Sequence, residues 1–133
     1  MLRAGFTGTG DGASKTKDRC FEQFYTQCKS LGIKVGAYWY SCATTYEKGV
    51  AEATWMVEEC LKGKQFEYPI AIDVEDETHQ KPAGKQAINE AIKGFCTTLI
   101  NRGYYPIVYA SSNWFANYID TEQLTDIDKW VAY

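Results

Sequence analysis

The sequence predicts an α/β protein built on a parallel sheet of about five strands alternating with helices. Three observations carry that reading. Short β-prone runs and amphipathic helical stretches alternate four times along the 133 residues, which is the pattern of repeated βαβ units. Glycines stand just past three expected helix ends, at Gly32, Gly63 and Gly103, where a helix commonly stops. The run Ile70-Ala71-Ile72-Asp73-Val74-Glu75 is apolar and β-prone until it ends in two carboxylates.

Each element follows from its local pattern. Leu2 to Phe6 reads as a first strand. Thr7 to Gly12 is a loop, because Gly8-Thr9-Gly10 lacks the rest of a phosphate-binding fingerprint. Asp18 to Leu31 is a helix with Phe21, Phe24, Cys28 and Leu31 at helical spacing. Ile33 to Tyr40 is the second strand. Thr44 or Thr45 caps a helix to about Leu61, with Val50, Thr54, Val57 and Leu61 as its inner stripe. Tyr68 to Glu75 is the third strand, and Asp76 to Gly84 a polar loop broken by Pro82. Gln86 to Arg102 is a helix with Ile88, Ala91, Ile92, Phe95 and Leu99 inward. Tyr105 to Ala110 is the fourth strand, Ser111 or Ser112 caps a short helix through Tyr118, and Asp128 to Tyr133 is a fifth strand.

Composition bounds the function. Hydrophobic residues make up 45% of the chain, enough for one domain with a core. The net charge of -3 has no basic block behind it, which points away from nucleic acid and anionic membranes as partners. No stretch reaches the length of a membrane span, and no signal-peptide pattern opens the sequence. Ten Tyr and four Trp suit stacking on the flat faces of sugars, although any single one is more simply core. The five cysteines are odd in number and lack a C-x-x-C, so neither a dense disulfide framework nor a structural zinc site is expected. One histidine, His79, excludes a multi-histidine metal site, and no cofactor or metal is implied.

The candidate chemistry sits at Asp73 and Glu75. Side chains at i and i+2 of a strand share a face. In a parallel β/α sheet the strand C-terminal ends form the rim where sites are built. Two acids side by side repel, so one holds its proton to higher pH than a free carboxyl. Glu75, nearer the rim, is the better general acid and Asp73 its partner. Asp73 serves either as nucleophile or by orienting a substrate's own 2-acetamido group. Asp76 and Glu77 extend the acidic run. A divalent cation is the competing idea there, but the ligand spacing is wrong and a solvated loop is simpler. Tyr38, Tyr40 and Tyr109 fall near strand ends. Trp39, between the two tyrosines, faces the other way into the core, and Trp114 is read as packing. A chitinase-type Asp-x-Asp-x-Glu run fails because Ala71 stands two before Asp73.

Five stretches together resemble glycoside hydrolase family 25, the Chalaropsis-type muramidases. They are Arg3-Ala4-Gly5, Gly32 to Tyr40, Pro69 to Glu75, Gly103 to Ala110 and Trp130-Val131-Ala132-Tyr133. The resemblance implies a partial (β/α) TIM-like barrel that hydrolyses the β-1,4 bond between N-acetylmuramic acid and N-acetylglucosamine, with peptidoglycan glycan strands as partner, outside the cell or in the wall. By position, Glu75 matches the catalytic acid and Asp73 its neighbour. Tyr38 and Tyr40 match the substrate channel, and Tyr109, Trp130 and Tyr133 match rim aromatics. Family members usually also carry an Asp on a preceding Gly-Ile-Asp-Val-Ser-like strand and another on a later strand. Neither stands in this chain, so the expectation is a single catalytic domain over 1–133 shortened at both ends. The alternatives are a non-catalytic peptidoglycan-binding module or an inactive fragment.

Overall fold

A computed structural model describes all 133 residues. The strands are β1 (Leu2–Thr7), β2 (Lys15–Lys17), β3 (Ala37–Tyr40), β4 (Ile70–Asp73), β5 (Pro106–Ser111) and β6 (Asp128–Ala132). They form one six-stranded sheet in the order β2-β1-β3-β4-β5-β6. Five run parallel, as the alternation predicts. The sixth, β2, turns back antiparallel on β1, between the expected loop that ends at Gly12 and the expected helix that starts at Asp18. Its Lys-Thr-Lys sequence has no apolar alternation to give it away.

The helices are α1 (Phe21–Ser30), α2 (Tyr46–Met56, continued by a π-helical turn Val57–Leu61), α3 (Gln80–Ala83), α4 (Lys85–Asn101) and α5 (Ser112–Asn117). Thr45 caps α2 by accepting from the Lys48 amide, and Ser111 caps α5 by accepting from that of Trp114. Gly32, Gly63 and Gly103 all take positive φ where three helical segments end.

Helix α4 buries all five residues of its expected stripe. Helix α2 differs by about one residue. Gly49, Glu52, Ala53 and Met56 face inward with Val57 and Leu61, while Val50 and Thr54 are half-buried. The rotation follows from how α2 meets α4. A Cβ at Gly49 would strike the Ala91 carbonyl, and one at Gly94 the Tyr46 carbonyl, so the two backbones touch through bare glycines. The expected stripe of α1 is not buried. Phe21 is covered, but Phe24 is 46% and Leu31 73% exposed. This helix lies along the sheet margin and is held by Tyr25 on Phe66 and by Lys29 on Glu67.

Alternation sorts the strands into two faces. Ala4, Ala37, Trp39, Ile70, Ile72, Val74, Val108 and Ala110 join the helices in one core cluster. Tyr38, Tyr40 and Tyr109 are absent from that cluster and stay half-buried on the other face. The sheet is therefore covered by helices on one side only, against the expectation that both faces of a parallel sheet are buried. Trp39 and Trp114 pack in the core as read from sequence. The loop after β4 also departs from expectation, because it contains the one-turn helix α3. Asp76 is 1% exposed there, and its carboxylate accepts from the amides of Thr78, His79 and Gln80. Asp76 is thus a buried cap, whereas Glu77 is exposed and pairs with Lys81.

Candidate active site

Parallel register carries one row of side chains across five strands. Phe6 pairs with Tyr40, Tyr40 with Asp73, Asp73 with Tyr109, and Tyr109 with Trp130. Beyond β4 the chain stays extended, since the Val74 amide donates to the Tyr109 carbonyl at 2.9 Å. Val74 therefore points into the core and Glu75 back to the side of Asp73. Tyr38, Asp73, Glu75, Tyr109 and Trp130 line one cavity of about 230 Å³.

The two acids differ sharply in environment. Asp73 is 5% exposed, and its Oδ1 has no hydrogen-bond partner. Burial, and then the charge of Glu75, push its carboxyl up to about 7. Glu75 stands exposed at the rim. The sequence argument favoured Glu75 as the acid that holds its proton. The burial that raises a carboxyl falls instead on Asp73, because β4 is sealed on both sides by β3 and β5.

The aromatic rings form the walls. Tyr109 meets Trp130 edge-on, with ring centroids 4.7 Å apart. Burial first, and then nearby carboxylates, raise the phenols of Tyr40 and Tyr109. Tyr38 also rises by burial, against an opposing pull from Arg3. All three remain neutral hydroxyls at physiological pH. Tyr40 sits on the correct face but is not among the cavity-lining residues, and Tyr133 is fully exposed, beyond the end of β6. A larger cavity, about 550 Å³, opens at the opposite end of the strands between Lys64–Ile70 and Gly103–Tyr105, away from both acids.

Sequence reading missed a buried polar cluster behind the rim. Glu52 is 2% exposed. It accepts from the Thr7 hydroxyl (2.7 Å), the Ser41 hydroxyl (2.6 Å) and the Cys42 amide (3.0 Å). Gln80, fully buried, donates to the Ser41 hydroxyl at 3.2 Å. The available signal was a charged residue three positions after Gly49 and four before Met56, on the packed stripe of α2. All five cysteines are free thiols. Cys42, Cys60 and Cys96 are buried, and burial pushes Cys42 and Cys96 up to about 12.

An acid pair and aromatic side chains thus stand together at the C-terminal rim of parallel β/α strands, the end at which β/α-barrel folds build their sites. The chain belongs to glycosyl hydrolases family 25, whose family model matches residues 7–133. Among curated proteins none matches the sequence. Several solved structures share the fold at low identity. The CTP1L endolysin is 21% identical with a TM-score of 0.78, and the match covers 98% of this chain and 42% of that one. The autolysin LytC from Streptococcus pneumoniae, in complex with a synthetic peptidoglycan ligand, is 20% identical with a TM-score of 0.80, covering 98% and 30%. The spore cortex lytic enzyme SleM of Clostridium perfringens is 21% identical with a TM-score of 0.78, covering 99% and 45%. This chain thus spans less than half the length of each of these structures.

Proposed function

We propose that this chain carries a muramidase centre that hydrolyses the β-1,4 bond between N-acetylmuramic acid and N-acetylglucosamine in peptidoglycan, acting at the cell wall. The observation that carries the reading is the single cavity shared by Asp73, Glu75 and three aromatic residues. Family membership supports the reaction class. The peptidoglycan ligand in the LytC structure supports the substrate by likeness of fold.

In this reading Glu75, open to the cavity, gives its proton to the glycosidic oxygen as the bond breaks. Asp73 lies deeper and supports the cationic sugar carbon. Its Oδ1, without a protein donor, is suited to accept the N–H of the substrate's 2-acetamido group. That favours orientation of the acetamido oxygen for attack over direct attack by Asp73. Tyr109 and Trp130 supply flat apolar walls for the sugar rings, and Tyr38 a neutral hydroxyl beside the acids.

Replacing Glu75 tests the reading. Glu75→Gln keeps the shape and removes the proton. The expected outcome is a fall in release of reducing ends from purified cell walls of at least about 100-fold, with an unchanged circular-dichroism spectrum. Turnover equal to that of the parent chain would remove Glu75 from the chemistry. Wall binding by the parent chain with no release of reducing ends would favour a binding module instead.

A further inference from the structure

We propose that Gln80 and Glu52 are positioning residues for the acid Glu75, acting through Ser41 and the backbone of the β4 rim; this rests on the muramidase reading of Glu75. Glu75 lies beyond the end of β4, so its place is set by the peptides on either side of it. On one side, the Val74 amide is fixed to the Tyr109 carbonyl, and the Asp73 carbonyl accepts from the Ser41 amide at 3.1 Å. On the other side, the Asp76 amide donates to Gln80 Oε1 at 3.3 Å, while the Gln80 amide returns a bond to Asp76 Oδ2 at 3.1 Å. The side chain of Gln80 thus grips the peptide that directly follows Glu75.

What grips Gln80 is the cluster around Glu52. Gln80 Nε2 donates to the Ser41 hydroxyl and to the Ala43 carbonyl (3.1 Å). The Ser41 hydroxyl also accepts from the Ala43 amide at 3.1 Å, so both its lone pairs are taken and its own proton goes to Glu52 Oε2. The Thr7 hydroxyl accepts from Trp39 Nε1 at 3.1 Å and passes its proton to Glu52 Oε1 in the same way. The Thr7 and Ser41 hydroxyls and the Cys42 amide therefore all donate to the Glu52 carboxyl. That carboxyl locks the ends of β1 and β3 against α2, and Ser41 hands the order on to Gln80. Such a network is cooperative, and losing one member leaves buried polar groups unpaired. None of these side chains lines the cavity, so they act through Glu75 and do not touch substrate.

The test uses Gln80→Met, which keeps the volume of Gln80 and removes its polar end, alongside Ser41→Ala and the double variant. Soluble glycan fragments of peptidoglycan serve as substrate. Displacing an acid by about 1 Å is expected to lower kcat on the order of 10- to 100-fold. KM should stay within about twofold, because the cavity walls are untouched. The double variant should lose little more than the worse single one, since both cut the same relay. Hydrogen exchange supplies a readout independent of turnover. The Asp76 amide should exchange faster in Gln80→Met, while amides of the α4 core such as Phe95 keep their protection. An unchanged kcat with Glu75→Gln inactive overturns this inference and leaves the muramidase reading standing. Absence of turnover in the parent chain, or an active Glu75→Gln, overturns both. Equal loss of protection at Asp76 and Phe95 marks a merely structural role and also overturns it.

Discussion

Asp73 is the residue at which stability and chemistry pull apart. Its carboxyl rises from 3.8 to about 7 on folding. Below 3.8 it is neutral in both folded and unfolded chains. Between there and about 7 the folded chain keeps a proton that the unfolded chain has lost, so stability declines as pH rises through this window. Above 7 the full penalty, up to ~4 kcal/mol, is present. Asp73→Asn should therefore melt higher than the parent at pH 8, with the advantage fading as pH falls toward 4. Calorimetric melts across that range check it. The same titration should shape the reaction. In the proposed reaction Asp73 acts as an anion beside the cationic carbon, so kcat/KM should rise with pH toward about 7, along a limb that Asp73→Asn removes. At the cavity wall, Trp130→Ala should raise KM about tenfold for glycan fragments, equivalent to ~1.4 kcal/mol of lost contact, with kcat less affected.

At the scale of elements, α2 and α4 meet backbone to backbone through Gly49 and Gly94. Gly94→Ala would drive a methyl into the Tyr46 carbonyl, and Gly49→Ala one into that of Ala91. Neither backbone has room to yield. Each change should cost about 2–3 kcal/mol and lower the melting temperature by several degrees, although alanine is the better helix former. Thermal melts of the two variants measure it. Elements with strong local signals were legible in sequence. Helix α4, with its stripe and terminal glycine, and the caps Thr45 and Ser111 fall in this group. What was not legible depends on neighbours distant in the chain. The hairpin strand β2 exists because β1 offers a free edge, not because Lys15–Lys17 is β-prone. Phe24 and Leu31 have helical spacing, yet no element covers them. Asp76 looked solvated because the backbone amides it caps lie in a turn that sequence read as irregular. For the site, Asp73, Glu75, Tyr38 and Tyr109 were named from strand position and Trp130 from the family resemblance. The burial that singles out Asp73 is a property of β3 and β5 beside it.

Across the whole molecule, the sheet ends in two unlike margins. One is β2, short and carrying Lys15 and Lys17, a common guard against edge pairing. The other is β6, where Trp130 and Val131 are 40% and 55% exposed. Beyond Asp128 and Lys129 this margin is apolar, which invites pairing with a second copy. The 133-residue chain should show concentration-dependent association in sedimentation velocity, and Val131→Lys should reduce it.

The sorting of alternate side chains has a consequence for how the molecule can change. Tyr38, Tyr109 and Trp130 stand on the open side, while their neighbours Ala37, Trp39, Val108 and Ala110 belong to the helix-covered one. Each strand is thus a double text whose two readings are nearly independent. Recoding these three aromatic letters, unlike the buried Asp73 among them, leaves the packed letters as they are, so the lining of the cavity can drift while resistance to heat stays nearly where it was.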